Sequence, residues 1–169
     1  TIVILSNGVE TIGDDAFAGC MNLCEVTIPE SVTTIGKRAF AGCKSLSNIT
    51  LPTNLLVISN GLFHDSGLMT ITLPSNATTI GDNAFAECPT LMSITMPSSI
   101  TTVGSKAFYE GKSLKKVTLS QSLTDIGTEA FSKCVSLNSL EIPQGVTEIK
   151  NSLCEGCSSL TSVYLHDKV

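Results

Sequence analysis

The chain has no tryptophan, only two tyrosines and two histidines, and a single arginine, Arg38, in 169 residues. Aromatic and arginine anchors are what tight protein interfaces are usually built on, so a high-affinity hot spot has few residues to form from. No apolar run approaches the roughly 18 residues of a membrane-spanning helix, and no charged segment followed by an apolar stretch marks a secretory signal. Lys and Arg number 10 against 15 Asp and Glu, for a formal charge of −5. With no basic stripe there is no electrostatic footprint for nucleic acid, and acidic partners are disfavoured. Phosphate-cradling glycine runs and dinucleotide fingerprints are missing as well.

What the chain does have is periodicity. Phe17, Phe40, Phe63, Phe85, Phe108 and Phe131 follow one another at 22 or 23 residues. Leu23, Leu46, Leu68, Leu91, Leu114, Leu137 and Leu160 keep the same beat, and Pro29, Pro52, Pro74, Pro97 and Pro143 share one phase of it. A period in the twenties with this leucine phasing marks a repeat solenoid. The expected organisation is one array over 1–169, with a partial coil 1–22, full coils 23–45, 46–67, 68–90, 91–113, 114–136 and 137–159, and a partial coil 160–169. Because it starts and stops within a coil, the array is expected to be part of a longer protein, with any signal, anchor or cap outside it. Uncapped ends would expose Val3 and Leu5, or Val163 and Leu165, and favour end-to-end self-association.

The repeat has the form L-x-x-V-T-L-P-x-x-V-T-x-I-G-x-x-A-F-x-x-C-x-x. Leu23, Val26 and Ile28 alternate with Glu25 and Thr27, the period-2 pattern of a half-buried strand, so stacked coils should form a parallel sheet. Pro29 ends the ladder, having no N–H and a fixed φ. Val32-Thr-Thr-Ile35 suggests a second short extended stretch, and Gly36 a turn. Ser59 and Lys150 stand at the glycine phase elsewhere, which argues against a strict positive-φ requirement. The Ala-Phe pair predicts one helical or 3₁₀ turn that drives the ring into a stack between coils. In the last full coil this pair is Leu153-Cys154, a swap that roughly conserves volume. The coil from Leu46 lacks one residue between Phe63 and Leu68, so a kink or exposed loop is expected there, carrying His64 and Asp65.

Cys20, Cys43, Cys88, Cys134 and Cys157 share one phase, filled by Ser66 and Gly111 in the other two coils. A small buried residue suits that phase. Equal phase also leaves Cys20–Cys43 and Cys134–Cys157 disulfides open, although the Cα spacing they need is narrow. Cys24 and Cys154 are off phase, and with seven cysteines at least one thiol stays unpaired if all bonds are internal.

The run I-P-x-x-V-T-x-I-G-x-x-A-F-x-x-C, repeated through the whole chain, resembles the BspA-like (Treponema pallidum-type) class of leucine-rich repeats. The resemblance implies a right-handed curved superhelix, with a parallel sheet on its concave face and short extended or 3₁₀ segments on the convex side. It also implies a function, since members of the class are often microbial surface proteins that adhere to host cells or matrix proteins. The asparagine ladder that follows the strand in ordinary leucine-rich repeats is missing, as the resemblance leads one to expect.

Catalytic constellations are poor. His64 and His166 lie roughly four coils apart and cannot cooperate, and without a base the many hydroxyls are weak nucleophiles. Cys20 with Cys24, and Cys154 with Cys157, match zinc half-sites by spacing alone. No enzyme, metal or cofactor is expected. The surface remains. Its outward strand positions are Glu25/Thr27, Asn48/Thr50, Thr70/Thr72, Ser93/Thr95, Lys116/Thr118, Ser139/Glu141 and Ser162/Tyr164, a polar ladder about 30 Å long by strand spacing. Threonine on a solvated strand is also explained by β-propensity alone. A functional reading makes the ladder a platform for a protein or glycan, weak in one copy and strengthened by avidity. Lys106, Lys112, Lys115 and Lys116 form the one basic cluster in sequence, beside Glu141, Glu148 and Glu155. Asn48-Ile-Thr50 and Asn76-Ala-Thr78 are glycosylation sequons. The expected function is thus a non-catalytic module of the cell surface or secreted space, adhering to a host, matrix or glycan component. The alternative is an intracellular, cytoplasmic interaction scaffold.

Overall fold

The computed structural model describes residues 1–166. Two sets of short strands run through the coils. The first set is Ile2–Ile4, Glu25–Thr27, Ser93–Thr95, Lys116–Thr118, Ser139–Glu141 and Ser162–Tyr164. The second set is Thr11–Ile12, Thr34–Ile35, Val57–Ile58, Thr79–Ile80, Thr102–Val103 and Asp125–Ile126. All pairing is parallel and in phase with the repeat: Val26 faces Val3, Val117 faces Ile94 and Val163 faces Leu140. The molecule is therefore a parallel β-solenoid, and among the described residues it contains no helix.

Between the two strands of a coil the proline acts through its carbonyl. Val32, Leu55, Ala77, Ile100 and Val146 each donate N–H to the proline three residues back, at 3.0–3.2 Å. Ser120 takes the proline phase in one coil and keeps the turn: its carbonyl accepts from Leu123, and its Oγ accepts from the Ser122 N–H at 3.1 Å.

The Ala-Phe segment corrects the expectation of a helical or 3₁₀ turn. Its residues form successive turns, each broken by left-handed backbone. The residue before Ala-Phe, at Asp15, Arg38, Asn83, Lys106 and Glu129, has φ between +52° and +58°, as Gly61 does at +63°. A second such residue lies two beyond the ring, at Gly19, Gly42, Asp65, Glu87, Glu110 and Lys133. A 3₁₀ run needs consecutive right-handed residues, and these positions interrupt it. They also redirect alternate N–H groups along the solenoid axis. Asp15, Phe17 and Gly19 donate to Lys37, Ala39 and Ala41 of the next coil, while Ala18 and Cys20 donate locally to Asp15 and Phe17.

The rings drive into the interior as expected. Phe40, Phe63, Phe85, Phe108 and Phe131 are fully buried. With Phe17 they form one continuous stack, with centroids 5.3–5.9 Å apart and planes within 20°. Aliphatic residues of both strand sets complete a single core.

The glycine after the second strand is explained by proximity rather than by positive φ. A Cβ on Gly36, Gly104 or Gly127 would lie 2.3–2.5 Å from the backbone nitrogen of Asp14, Asp82 or Ser105 in the preceding coil. The space is needed because these glycines donate N–H to Ile12, Ile80 and Val103 at 2.7–2.8 Å. Ser59 keeps the link differently, by donating its Oγ–H to the Ile35 carbonyl.

The shortened coil is more regular than its sequence suggests. His64 and Asp65 are half-buried, and Asp65 N–H reaches Ala86 O at 2.8 Å, so the expected exposed loop does not form. Gly67 absorbs the deletion: a Cβ there would sit 1.9 Å from the Lys44 carbonyl oxygen, so only a residue without one lets the chain cut the corner. Segments 48–50 and 70–72, expected as strands, form no ladder, and the first-strand sheet is also interrupted between Lys116–Thr118 and Ser139–Glu141, where both coils are of full length. The second set pairs Val57–Ile58, Thr79–Ile80, Thr102–Val103 and Asp125–Ile126 in one sheet and is broken between Thr34–Ile35 and Val57–Ile58.

Candidate functional site

The alternation of the first strand aims one set of side chains inward and the other outward. The outward set forms two rows. One row holds Glu25, Asn48, Thr70, Ser93, Lys116, Ser139 and Ser162, and the other Thr27, Thr50, Thr72, Thr95, Thr118, Glu141 and Tyr164. All are exposed except half-buried Ser162. Asn48, Thr50, Thr70 and Thr72 share this wall but occupy segments 48–50 and 70–72, so their backbone is not pinned by a strand ladder. Register adds two residues that the sequence reading missed. Ile2 faces Glu25 and Ile4 faces Thr27, and they are 57% and 74% exposed. The polar rows thus begin on an apolar edge. The consensus itself gave the signal, since Ile2 and Ile4 stand at its outward positions.

Two shallow depressions lie on this wall. One, about 380 Å³, is lined by Thr70, Thr72, Ser93 and Thr95 over Leu73 and Pro97. The other, about 330 Å³, is lined by Lys116, Thr118, Gln121, Ser139, Glu141 and Tyr164. The second brings a cation, a carboxylate, an amide and an aromatic ring together across three coils. Such a set can hydrogen-bond and stack on a ligand, but it contains no base beside a nucleophile.

The hydroxyls of this wall differ from two other series that recur from coil to coil. Thr78, Thr101 and Thr124, in the stretch before the second strand, donate to Leu56, Thr78 and Thr101 carbonyls of the preceding coil at 3.2–3.3 Å. Ser99, Ser113 and Ser136 do the same at 2.6 Å to Ala77, Pro89 and Lys112. The outward hydroxyls of Thr27, Thr50, Thr70, Thr72, Ser93, Thr95, Thr118, Ser139 and Ser162 make no such bond among the described residues. Two chemically identical ladders therefore divide into one that ties coils together and one whose hydrogen-bonding capacity faces solvent.

The cysteine phase is also structural. Cys43, Cys88, Cys134 and Cys157 donate S–H to the carbonyls of Phe17, Phe63, Phe108 and Phe131 in the preceding coil at 3.0–3.2 Å. All seven cysteines are unbonded, so neither cross-coil disulfide is present. Burial pushes the Cys88 thiol up to about 11 and the Cys134 thiol up to about 12. No group of three or more His, Cys, Asp or Glu able to hold a metal occurs among the described residues.

Other polar groups are dispersed or paired. The sequence cluster of lysines comes apart: Lys106 pairs with Glu129 at 3.4 Å and Lys112 with Glu110 at 3.7 Å on the turn side, whereas Lys116 joins the outward strand row. Lys133 lies over the Tyr109 ring, 4.9 Å from its centroid; hydrogen bonds to the Tyr109 hydroxyl and Glu110 raise it to about 12. A short Asx ladder, unforeseen from sequence, runs on the turn side: Asp14, Asn60 and Asp82 accept from the N–H of Lys37, Asp82 and Ser105 at 2.7–3.1 Å. Of the histidines, His64 is half-buried with its Nε2 4.0 Å from Glu87, and His166 is exposed.

The same repeat pattern occurs in known proteins. The chain is 32% identical to the T. pallidum leucine rich repeat protein, covering 96% of this chain and 68% of that one, with a TM-score of 0.68. It is 29% identical to a leucine-rich repeat protein from Bacteroides ovatus, covering 96% of this chain and 54% of the other, with a TM-score of 0.56. The pneumococcal vaccine antigen PcpA, at 19% identity, shares the fold, with a TM-score of 0.66 over 96% of this chain and 56% of its own. A search of curated proteins found no match. The family model of the BspA type leucine rich repeat region, counted at six copies, matches residues 1–110 and 57–169. With every coil inside those spans, the chain belongs to the BspA-type leucine-rich repeat family.

Proposed function

We propose that this array is a non-catalytic recognition module, displayed on the cell surface or secreted, that holds a protein or glycan of a host or matrix against its first-strand wall. That wall is the concave face of the leucine-rich repeat architecture, the surface on which solenoids characteristically bind. The observation that carries the proposal is the division of the hydroxyls. Those on the wall have no intramolecular partner among the described residues, whereas Thr78, Thr101 and Thr124, one coil apart before the second strand, bond to the preceding coil. The contact residues are Glu25, Thr27, Asn48, Thr50, Thr70, Thr72, Ser93, Thr95, Lys116, Thr118, Ser139, Glu141, Ser162 and Tyr164. With Tyr164 the one aromatic among them, each array binds weakly and avidity over several copies supplies strength. Glycan at exposed Asn48 would cover part of the wall.

An intracellular protein scaffold is the second reading, favoured by the seven unbonded thiols. Protease shaving of intact source cells, with a cytosolic protein as leakage control, separates the two. Repeat peptides released without leakage are the expected result, and peptides seen only after lysis would overturn surface display. Binding is tested by screening immobilised matrix proteins and glycans with wild type and with a Thr72→Glu, Thr95→Glu, Thr118→Glu variant. The variant is expected to lose the binding that wild type shows. Equal binding by both would move the site off this wall.

A further inference from the structure

The repeat places its phenylalanine and cysteine phases at the first and fourth residues of one turn. Cys43 N–H donates to Phe40 O at 3.4 Å, Cys134 to Phe131 at 3.2 Å and Cys157 to Cys154 at 3.2 Å. Both phases point into the interior, as the full burial of Phe40 with Cys43, and of Phe131 with Cys134, shows. In the coil from Leu137 the phenylalanine is replaced by Cys154, so F-x-x-C becomes C-x-x-C and the inward-facing pair of that turn consists of two thiols. We propose that Cys154 and Cys157 form an oxidisable dithiol that closes to an intramolecular disulfide by exchange with a low-molecular-weight disulfide.

Geometry supports closure. First and fourth Cα atoms of a β-turn lie within about 7 Å, and disulfides span about 4.4–6.8 Å between Cα atoms. Gly156, third in the turn, has φ +72°, a left-handed position that glycine takes without strain. The turn that carries them is closed by the Cys157 N–H donating to the Cys154 carbonyl at 3.2 Å, which holds the two residues at its ends. Both residues are half-buried, and Cys154 opens on an apolar groove of about 320 Å³ lined by Ile149, Leu153, Val163 and Leu165. Cys88 and Cys134, by contrast, are fully buried beside phenylalanines.

The chemistry assigns the roles. The neighbouring Cys154 thiol lowers the Cys157 thiol to about 7, while Cys157 and burial raise Cys154, so Cys157 is the thiolate that attacks. Its sulfur bonds to one sulfur of R–S–S–R and expels RS⁻. The Cys154 sulfur, giving up its proton, then attacks the Cys157 sulfur of the mixed disulfide and expels the second RS⁻. The two cysteines lose two electrons and two protons, and the small disulfide becomes two thiols. Closure also removes the S–H that Cys157 donates to Phe131 O.

The test exposes the folded whole chain to rising ratios of oxidised to reduced glutathione, followed by acid quench, alkylation, trypsin and mass spectrometry. Trypsin releases 151–168, which carries Cys154 and Cys157 and no other cysteine. That peptide is expected to become lighter by two hydrogens and to resist alkylation. Alkylation of both residues at every ratio would overturn the proposal, as would cross-linking to the peptide 134–150 that carries Cys134. In Cys154→Ser the glutathione adduct on Cys157 should persist, because nothing resolves it. Absence of any adduct in a folded Cys154→Ser chain would overturn the assignment of Cys157 as the attacking sulfur. Should that variant not fold, Cys154→Phe, which restores the repeat, provides the disulfide-free comparison. Surface binding plays no part in these readouts, so they stand or fall independently of the recognition function.

Discussion

The first-strand wall and the turn side are made by the same coils, yet they use their residues in opposite ways. Away from the wall, sulfhydryls and hydroxyls donate to the preceding coil's backbone, Asx oxygens accept from the next coil's, rings stack and glycines clear room for the neighbouring chain. On the wall, polar side chains stand exposed and make almost no contact of that kind. Stability is concentrated on one side of the coil, which leaves the other side open to substitution. A ligand surface can then vary without endangering the fold, and this is the property a recognition array needs.

The contrast can be broken most severely at the ring stack. Phe85→Ala removes a fully buried ring between Phe63 and Phe108 and should cost about 3–5 kcal/mol in urea denaturation. A loss below about 1 kcal/mol would mean that the stack is ornamental. Next comes Gly67→Ala, which forces a methyl against the Lys44 carbonyl and should cost about 3 kcal/mol. Gly145→Ala, with a carbonyl at 2.5 Å in a coil of full length, should cost less, since the Gly67 approach is closer at 1.9 Å.

The thiols give a pH signature. Cys88 and Cys134 are raised from 9.0 to about 11 and about 12, chiefly by burial, so the folded state holds their protons after the unfolded chain has released them. Their stabilisation is complete below pH 9.0 and is lost as pH rises through about 11 to about 12. Denaturation midpoints should therefore fall in that alkaline window, and a Cys88→Ala, Cys134→Ala variant should fall less from its own lower starting point. A parallel decline in both proteins would assign the effect to other groups.

The smallest effect sharpens the comparison. Thr101→Val deletes a hydroxyl bonded to the Thr78 carbonyl and should cost about 1 kcal/mol. Thr95→Val, at an exposed wall position without such a bond, should change stability by less than about 0.5 kcal/mol. Equal costs would dissolve the distinction between tying and presenting hydroxyls.

Much of this fold could be read from spacing because each coil meets the same neighbours, so one residue type recurs wherever one environment recurs. The buried rings, the inward aliphatics and the outward strand rows all follow from that regularity. What escaped depends on backbone direction rather than on side-chain type. Left-handed residues such as Arg38, Lys106 and Glu129 have no distinctive composition, so the Ala-Phe segment looked helical. The same limit hid the role of Gly67, since the residue missing between Phe63 and Leu68 suggested a loop where close approach of Gly67 to Lys44 keeps a regular coil. Of the wall, its members were legible from alternation, but not the gap at 48–50 and 70–72 nor the grouping of Lys116, Gln121, Glu141 and Tyr164 around one depression.

By itself, then, the sequence determined that this chain is a stacked array and which phases face inward, because a period of 22 or 23 residues with a fixed apolar pattern admits one way to bury it. Only the tertiary structure decided which of its many threonines are committed to neighbouring coils and which are presented, because that depends on whether a carbonyl of the preceding coil lies within hydrogen-bonding reach.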